Sequence, residues 1–279
     1  MNNGLLVVNK PKGMTSRDVV NKVCRKFNTK SVGHIGTLDP LAEGVLVCLI
    51  GKYTKLANIL TNHDKEYIAS FKLGILTDTL DITGNVLKEG KKDFSKDEII
   101  NALNHFKGTY NQEVPIYSAV KVNGKKLYEY ARNNIDVKLP SKMVNIYDIE
   151  LIDINDDIIT IKCKVSKGTY IRSLIRDIGA FLDTYATMTN LVRTTLGNFN
   201  IDDAYTLEDI ENNNYKLLKL NDFLDVVTKK IDSEEDYKHI KNGNVMNIKS
   251  NKYILFTYAD ENIALYEPFD NKIKPLIMF

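Results

Sequence analysis

Val45-Leu46-Val47-Cys48-Leu49-Ile50 is apolar at all six positions. Strand side chains alternate between two faces, so a strand of this sequence needs cover on both. The chain must therefore build a sheet with other layers packed on each side of it. Directly before this run comes Gly33-His34-Ile35-Gly36-Thr37-Leu38-Asp39-Pro40-Leu41-Ala42-Glu43-Gly44. Its glycines permit backbone angles closed to other residues and close approach of a ligand. Pro40 fixes its own φ and biases Asp39 away from helical geometry. A carboxylate held on such a loop can be presented to a substrate; read by itself, Asp-Pro is turn punctuation.

The remaining text supplies strands and helices in irregular order. Leu5-Leu6-Val7-Val8 reads as a buried strand ending at Asn9-Lys10-Pro11-Lys12-Gly13. Thr15 or Ser16 then caps a helix whose Val19, Val20, Val23, Cys24 and Phe27 form one apolar stripe. Residues 65–74 alternate like a strand. Ser95-Lys96-Asp97-Glu98 is a capping box before a helix. A second helix is expected from Gly124 to Arg132, and strands at 143–154 and 158–166 joined by Asn155-Asp156-Asp157. Residues 165–179 read as a strand passing into a helix with Ile175, Ile178, Phe181 and Leu182 inward. Thr206 opens an acidic helix, and from Ile231 onward short alternating runs indicate a small β-rich unit.

With 279 residues, 43% of them hydrophobic, the chain can bury a core as one large domain or a large domain plus a small one. The formal charge is +2, from 38 basic and 36 acidic residues. A nucleic-acid binder with that balance must segregate its charge. Residues 1–30 carry Lys10, Lys12, Arg17, Lys22, Arg25, Lys26 and Lys30 against Asp18 alone, and the helical part of that set reads equally as a solvated face or an RNA face. Asp202, Asp203, Glu208, Asp209 and Glu211 should face away from phosphate. The three cysteines lack C-x-x-C spacing, which argues against a zinc site or a disulfide framework and for buried thiols in a reducing cytosol. No signal pattern, membrane-length apolar run, phosphate loop, dinucleotide fingerprint or metal-ligand spacing occurs. A soluble cytoplasmic protein with no metal and no cofactor is expected.

Gly33–Gly44 as a string resembles the active-site motif of the TruB family of tRNA pseudouridine synthases, which act on the T-loop uridine, uridine 55. Further segments carry the same resemblance: Asn9-Lys10-Pro11, Thr77-Asp78-Thr79-Leu80-Asp81-Ile82-Thr83-Gly84, Gln112 to Lys121, Lys167-Gly168-Thr169-Tyr170-Ile171-Arg172-Ser173-Leu174, Thr189 to Arg193 and Lys241-Asn242-Gly243-Asn244. Ile35, Glu43, Val114 and Val192 depart from the commonest pattern. The resemblance implies that Asp39 is the catalytic residue and that Arg172 pairs with it. It implies that Tyr67 stacks on the uracil and is a candidate for taking the proton from C5. Tyr170 would share that pocket, set on an extended segment two residues before Arg172, and Leu191 would form an apolar wall. His34 would contact RNA near the vacated base position, and Lys10 would contact phosphate or support the loop. The implied fold is α+β: a mixed, mostly antiparallel sheet with flanking helices over residues 1–228, and a small β-rich PUA-like RNA-binding domain over 229–279. The implied partner is the T arm of tRNA, with the protein a monomer away from membranes.

Making pseudouridine breaks the bond between N1 and C1′, turns the base, and rejoins it through C5. A carboxylate can add at C1′, add at C6, or stabilise positive charge on the ribose; all three routes remain open at this point. The target base must be flipped out of its loop to be reached. Two other readings compete. A glycosidase would attack the same carbon but usually needs two carboxylates flanking the bond. A non-catalytic tRNA-binding module would use the basic helix and the C-terminal strands alone.

Overall fold

The structure, a computed structural model, describes residues 3–61 and 63–279. The two-sided strand, Glu43–Ile50, organises it. On one side it pairs antiparallel with Gly4–Lys10 over seven residue pairs. On the other side its C-terminal half pairs with Val32–Ile35, whereas its first two residues pair in parallel with Val192 and Arg193 of the Ala186–Leu196 strand. Beyond that junction the sheet continues antiparallel through Lys65–Leu73, Ile158–Val165, Ser141–Asn155 and Gly108–Glu113. The sheet is thus mixed and mostly antiparallel, as expected. The segment between Ile35 and Glu43 emerges at the fork where one neighbour of the central strand gives way to another.

Both faces of Glu43–Ile50 are covered. Leu46, Cys48 and Ile50 share an apolar cluster with Val19, Val20 and Val23 of the Ser16–Lys26 helix. Val45, Val47 and Leu49 pack with Tyr53 and with Leu255, Leu265 and Ile277. The last three belong to a four-stranded C-terminal sheet, Val226–Lys230, Tyr253–Tyr258, Glu261–Phe269 and Lys272–Met278. Its first strand straddles the 228/229 position, and its inner face shares a core with the large sheet. A third cluster lies between the Lys65–Leu73 side of the large sheet and the helices Lys96–His105 and Ile171–Phe181.

Three expectations are corrected. Gly124 does not begin a helix: Asn123 and Gly124 both have positive φ, 49° and 81°, and form the turn of a short hairpin between Lys121–Val122 and Lys125–Lys126. The helix starts at Leu127. Asn-Gly favours this doubly left-handed turn, whose twist suits antiparallel strands. Phe181 is exposed rather than inward, and stacks on His105 at 4.3 Å between ring centres. Arg172 lies in the first turn of the Ile171–Phe181 helix, so the extended segment ends at Tyr170. Glu211 of the acidic run lies beside the basic helix: Lys22 pairs with it at 3.5 Å and Lys26 donates to its carbonyl. Part of the N-terminal positive charge is thereby compensated within the protein.

Candidate active site

The loop at the fork is anchored at several points. Ser16, in the first turn of its helix, accepts from the Leu38 amide at 2.9 Å and donates to the Leu38 carbonyl at 3.1 Å. The Gly13 amide donates to the Pro40 carbonyl at 2.7 Å. Arg193, only 1% exposed, donates through Nη2 to the Gly36 carbonyl and through Nε to the Val45 carbonyl, at 2.6 and 2.8 Å. One side chain thus ties the start of the loop to the strand that follows it. Gly44, with φ of +101°, lets the Arg193 backbone pass so close that a Cβ would lie 2.3 Å from its carbonyl oxygen. The parallel junction needs glycine there.

Asp39 rides on this loop with its side chain 40% exposed, and its Oδ2 lies 2.9 Å from Nη2 of Arg172, whose side chain is 7% exposed. The guanidinium is itself fixed: Nη1 donates to the Thr79 carbonyl at 2.9 Å and Nη2 to the Tyr117 carbonyl at 3.0 Å. A second carboxylate, Asp81, stands 4.0 Å from Nη1. A planar cation held by carbonyls can aim a carboxylate as well as neutralise it. The start of the Arg172 helix is held by Gln112, whose side-chain amide accepts from the Tyr170 amide at 2.8 Å and donates to the Tyr170 carbonyl at 3.1 Å.

Asp39 and Arg172 open onto a cavity of about 510 Å³, lined also by Tyr67, Tyr170 and Leu191. Five of the seven side chains singled out in the sequence therefore meet. Burial pushes the phenols of Tyr67 and Tyr170 above their ordinary range. The other two lie outside the lining. The Lys10 ammonium is buried and donates to the Pro11 and Met14 carbonyls, so it holds the chain after its strand instead of presenting charge to a phosphate. Burial lowers its pKa to about 8. His34 lies on the Val32–Ile35 strand before the loop, its buried Nδ1 without a hydrogen-bond partner among the described residues. Burial, then the charges of Arg17 and Arg193, lower its pKa and keep the imidazole neutral at pH 7.

Arg193, Gln112 and Lys65 were not singled out by the sequence. Arg193 and Gln112 stood at the ends of the Thr189–Arg193 and Gln112–Lys121 segments without a role, and Lys65 only opened the alternating strand. Cys48 and Cys163 are buried, which pushes both thiols up to about 12 and leaves them unfit as nucleophiles. Among the described residues no group of His, Cys, Asp or Glu side chains could hold a metal ion.

A sheet forked around an Asp-bearing loop thus sets an acid, paired to a buried Arg, over an aromatic-lined cavity suited to a flat ring. Residues 24–171 match the family described as "TruB family pseudouridylate synthase (N terminal domain)", and residues 172–234 match "tRNA pseudouridylate synthase B C-terminal domain". The chain belongs to the TruB family. It is 44% identical over 279 residues to the tRNA pseudouridine synthase B of Fusobacterium nucleatum, covering 97% of each chain. It is 44% identical over 267 residues to the protein of that name from Caldicellulosiruptor saccharolyticus, covering 96% of this chain and 90% of the relative. The crystal structure of a Cbf5-Nop10-Gar1 complex contains a chain of similar fold, with TM-score 0.67 and 25% identity, covering 95% of this chain and 78% of that one.

Proposed function

We propose that this chain converts the T-loop uridine of tRNA, uridine 55, to pseudouridine, with Asp39 as the reacting carboxylate. The observation that carries the reading is the Asp39–Arg172 contact at the mouth of the cavity: an exposed acid fixed by a buried base. The flipped uridine would enter with its base against Tyr67 and its edges walled by Tyr170 and Leu191. Burial keeps the Tyr67 phenol protonated at neutral pH, which favours stacking over removal of the C5 proton. Arg172 holds the Asp39 carboxylate directed while the N1–C1′ bond breaks. The apolar walls retain the freed base, so that it turns over and rejoins through C5 instead of diffusing away. The isomerisation is redox-neutral and requires neither metal nor cofactor. We assign His34 to RNA beside the mouth and Lys10 to support of the loop. We assign the C-terminal β unit, residues 229–279 in the sequence division, to holding the tRNA stem, and the protein to the cytoplasm as a monomer.

Tritium release from a tRNA transcript labelled at C5 of uridine tests the reading. The wild type is expected to release one tritium per tRNA, and a transcript with cytidine at position 55 none. Asp39→Asn is expected to abolish release while tRNA affinity stays within about tenfold, because affinity rests mainly on phosphate contacts. Free uracil without tritium release would favour hydrolysis, and full turnover by Asp39→Asn would remove Asp39 from the chemistry.

A further inference from the structure

Lys65, Lys142, Lys167 and Arg193 also line the cavity that holds Asp39. Among the described residues Asp39 is the only carboxylate in that lining, and Arg172 already engages it. Lys65 opens the strand that carries Tyr67 and is 8% exposed; its ammonium donates to the His63 carbonyl at 2.6 Å. Lys142 comes from the neighbouring arm of the sheet and is exposed along most of its length. Its Nζ occupies the space that a Cβ would take on Gly168, 1.9 Å from that position. Gly168, with φ of +78°, is therefore the gap through which the Lys142 ammonium reaches the cavity. Neither Lys65 nor Lys142 forms an ion pair with a carboxylate among the described residues.

We propose that Lys65 and Lys142 form the seat for one backbone phosphate of the RNA strand carrying the target nucleotide. The inference rests on the uridine reading above and adds to it a contact that the motif residues do not make. Residues two apart on a strand share a face and lie about 7 Å apart. A base stacked on Tyr67 thus carries its sugar–phosphate past Lys65. Like charges gathered in a partly buried site repel one another, and burial together with Arg193 lowers the Lys65 pKa to about 8. An anion placed among them relieves that repulsion, whereas a neutral base does not. A buried ammonium on one side and an exposed lysine reaching in past Gly168 on the other suit a diester that runs between them.

Affinity of a T-arm stem–loop RNA for the full chain, measured across a salt series, tests this. Lys65→Gln and Lys142→Gln are each expected to weaken binding about three- to tenfold and to lower the magnitude of the salt slope by about 0.7, the value for one phosphate contact on a single strand. The loss should fall more on Kd and KM than on kcat at saturating RNA, and Lys65→Arg should recover most of it. Neutral methylphosphonates placed singly at the linkages around the target uridine should reveal one linkage that weakens wild-type binding by a similar factor. That linkage should have no further effect in the Lys65→Gln/Lys142→Gln double variant. If no linkage couples to the two lysines, or if Lys142→Gln on its exposed strand leaves affinity and salt slope unchanged, the seat does not exist. Coupling is read from affinity alone, so it stands or falls apart from tritium release on the unmodified RNA, which tests the uridine reading.

Discussion

Nη2 of Arg172 reaches both Oδ2 of Asp39, at 2.9 Å, and the Tyr117 carbonyl, at 3.0 Å. The same nitrogen that orients the acid is thus bonded to the backbone of a separate segment, and Nη1 is bonded to a third at Thr79. Three stretches far apart in sequence are brought to register by one planar group. Arg172→Lys keeps a positive charge but has no fork with which to hold all three. Its kcat in single turnover at saturating RNA is expected to fall at least about 100-fold, the scale of a misplaced catalytic group. Unfolding by urea should show a loss of about 1–3 kcal/mol for buried carbonyls left without a donor. A kcat within about tenfold of wild type would show that Asp39 needs only a nearby charge.

Gln112 acts one layer further out. Its amide closes on both backbone groups of Tyr170, as a paired strand would, just before the helix begins. Ser173 adds a bond from its hydroxyl to the Glu113 carbonyl at 2.8 Å. Gln112→Ala would strand the Tyr170 amide, worth about 1–3 kcal/mol when buried, whereas the Tyr170 carbonyl keeps its bond from the Leu174 amide at 3.0 Å. The expected outcome is a lower melting temperature together with a lower kcat, since Tyr170 and Arg172 both hang from that start. Gln112→Glu should recover the bond to the Tyr170 amide but repel its carbonyl, and so fall between the two. If Gln112→Ala lowers stability without touching kcat, the clamp is structural only.

Local chemistry made some of this legible. The two-sided run at 45–50, the alternation at 65–73 and the capping boxes at Thr15–Asp18, Ser95–Glu98 and Thr206–Asp209 each depend on residues within a few positions, and each forms. The meeting of Asp39, Arg172, Tyr67, Tyr170 and Leu191 was legible only through the family motif, because those residues come from four separate elements. Arg193 and Gln112 stood inside motif segments that gave them no role, and Lys65 stood in none, because the partners of all three in the site lie on other elements. Phe181 was misread because helical spacing does not reveal that its neighbour across the gap is an exposed His105. The Lys22–Glu211 pair was hidden because its partners are 189 residues apart.

Gly44 tests the fork itself. Its residue pair with Arg193 is one of two that join the central strand to the rest of the large sheet in parallel. An added Cβ would overlap the Arg193 carbonyl at 2.3 Å on a backbone with φ of +101°, so neither neighbour is a flexible side chain that could swing away. Gly44→Ala is expected to lower stability in urea by about 3 kcal/mol or more, from left-handed strain together with the backbone clash. Gly13→Ala is the control: its φ is also positive, but nothing lies within 4 Å of the added atom. It should lose only about 1 kcal/mol, the strain alone. Equal losses would mean that the close approach at the fork contributes nothing.

The buried lysines give stability a defined pH dependence. Lys10 and Lys65 both have pKa values near 8 in the folded chain, lowered chiefly by burial, against 10.5 for an ordinary lysine. Above pH 8 the folded protein therefore binds fewer protons than the unfolded chain, so the unfolding free energy rises with pH. The penalty is fully present below pH 8 and is relieved progressively toward 10.5. From about pH 9 the buried thiols of Cys48 and Cys163, and near pH 10 the buried phenols of Tyr67, Tyr110 and Tyr170, all with raised pKa values, act in the opposite sense. Urea midpoints measured between pH 7 and 9, below the range where the buried thiols oppose the lysines, should accordingly increase after correction for the denaturant's own pH response. Lys65→Met should flatten the rise by about half, leaving the share of Lys10, and should be more stable than wild type at pH 7. A wild-type midpoint that falls over this window would mean that both ammonium groups keep ordinary pKa values in the folded chain.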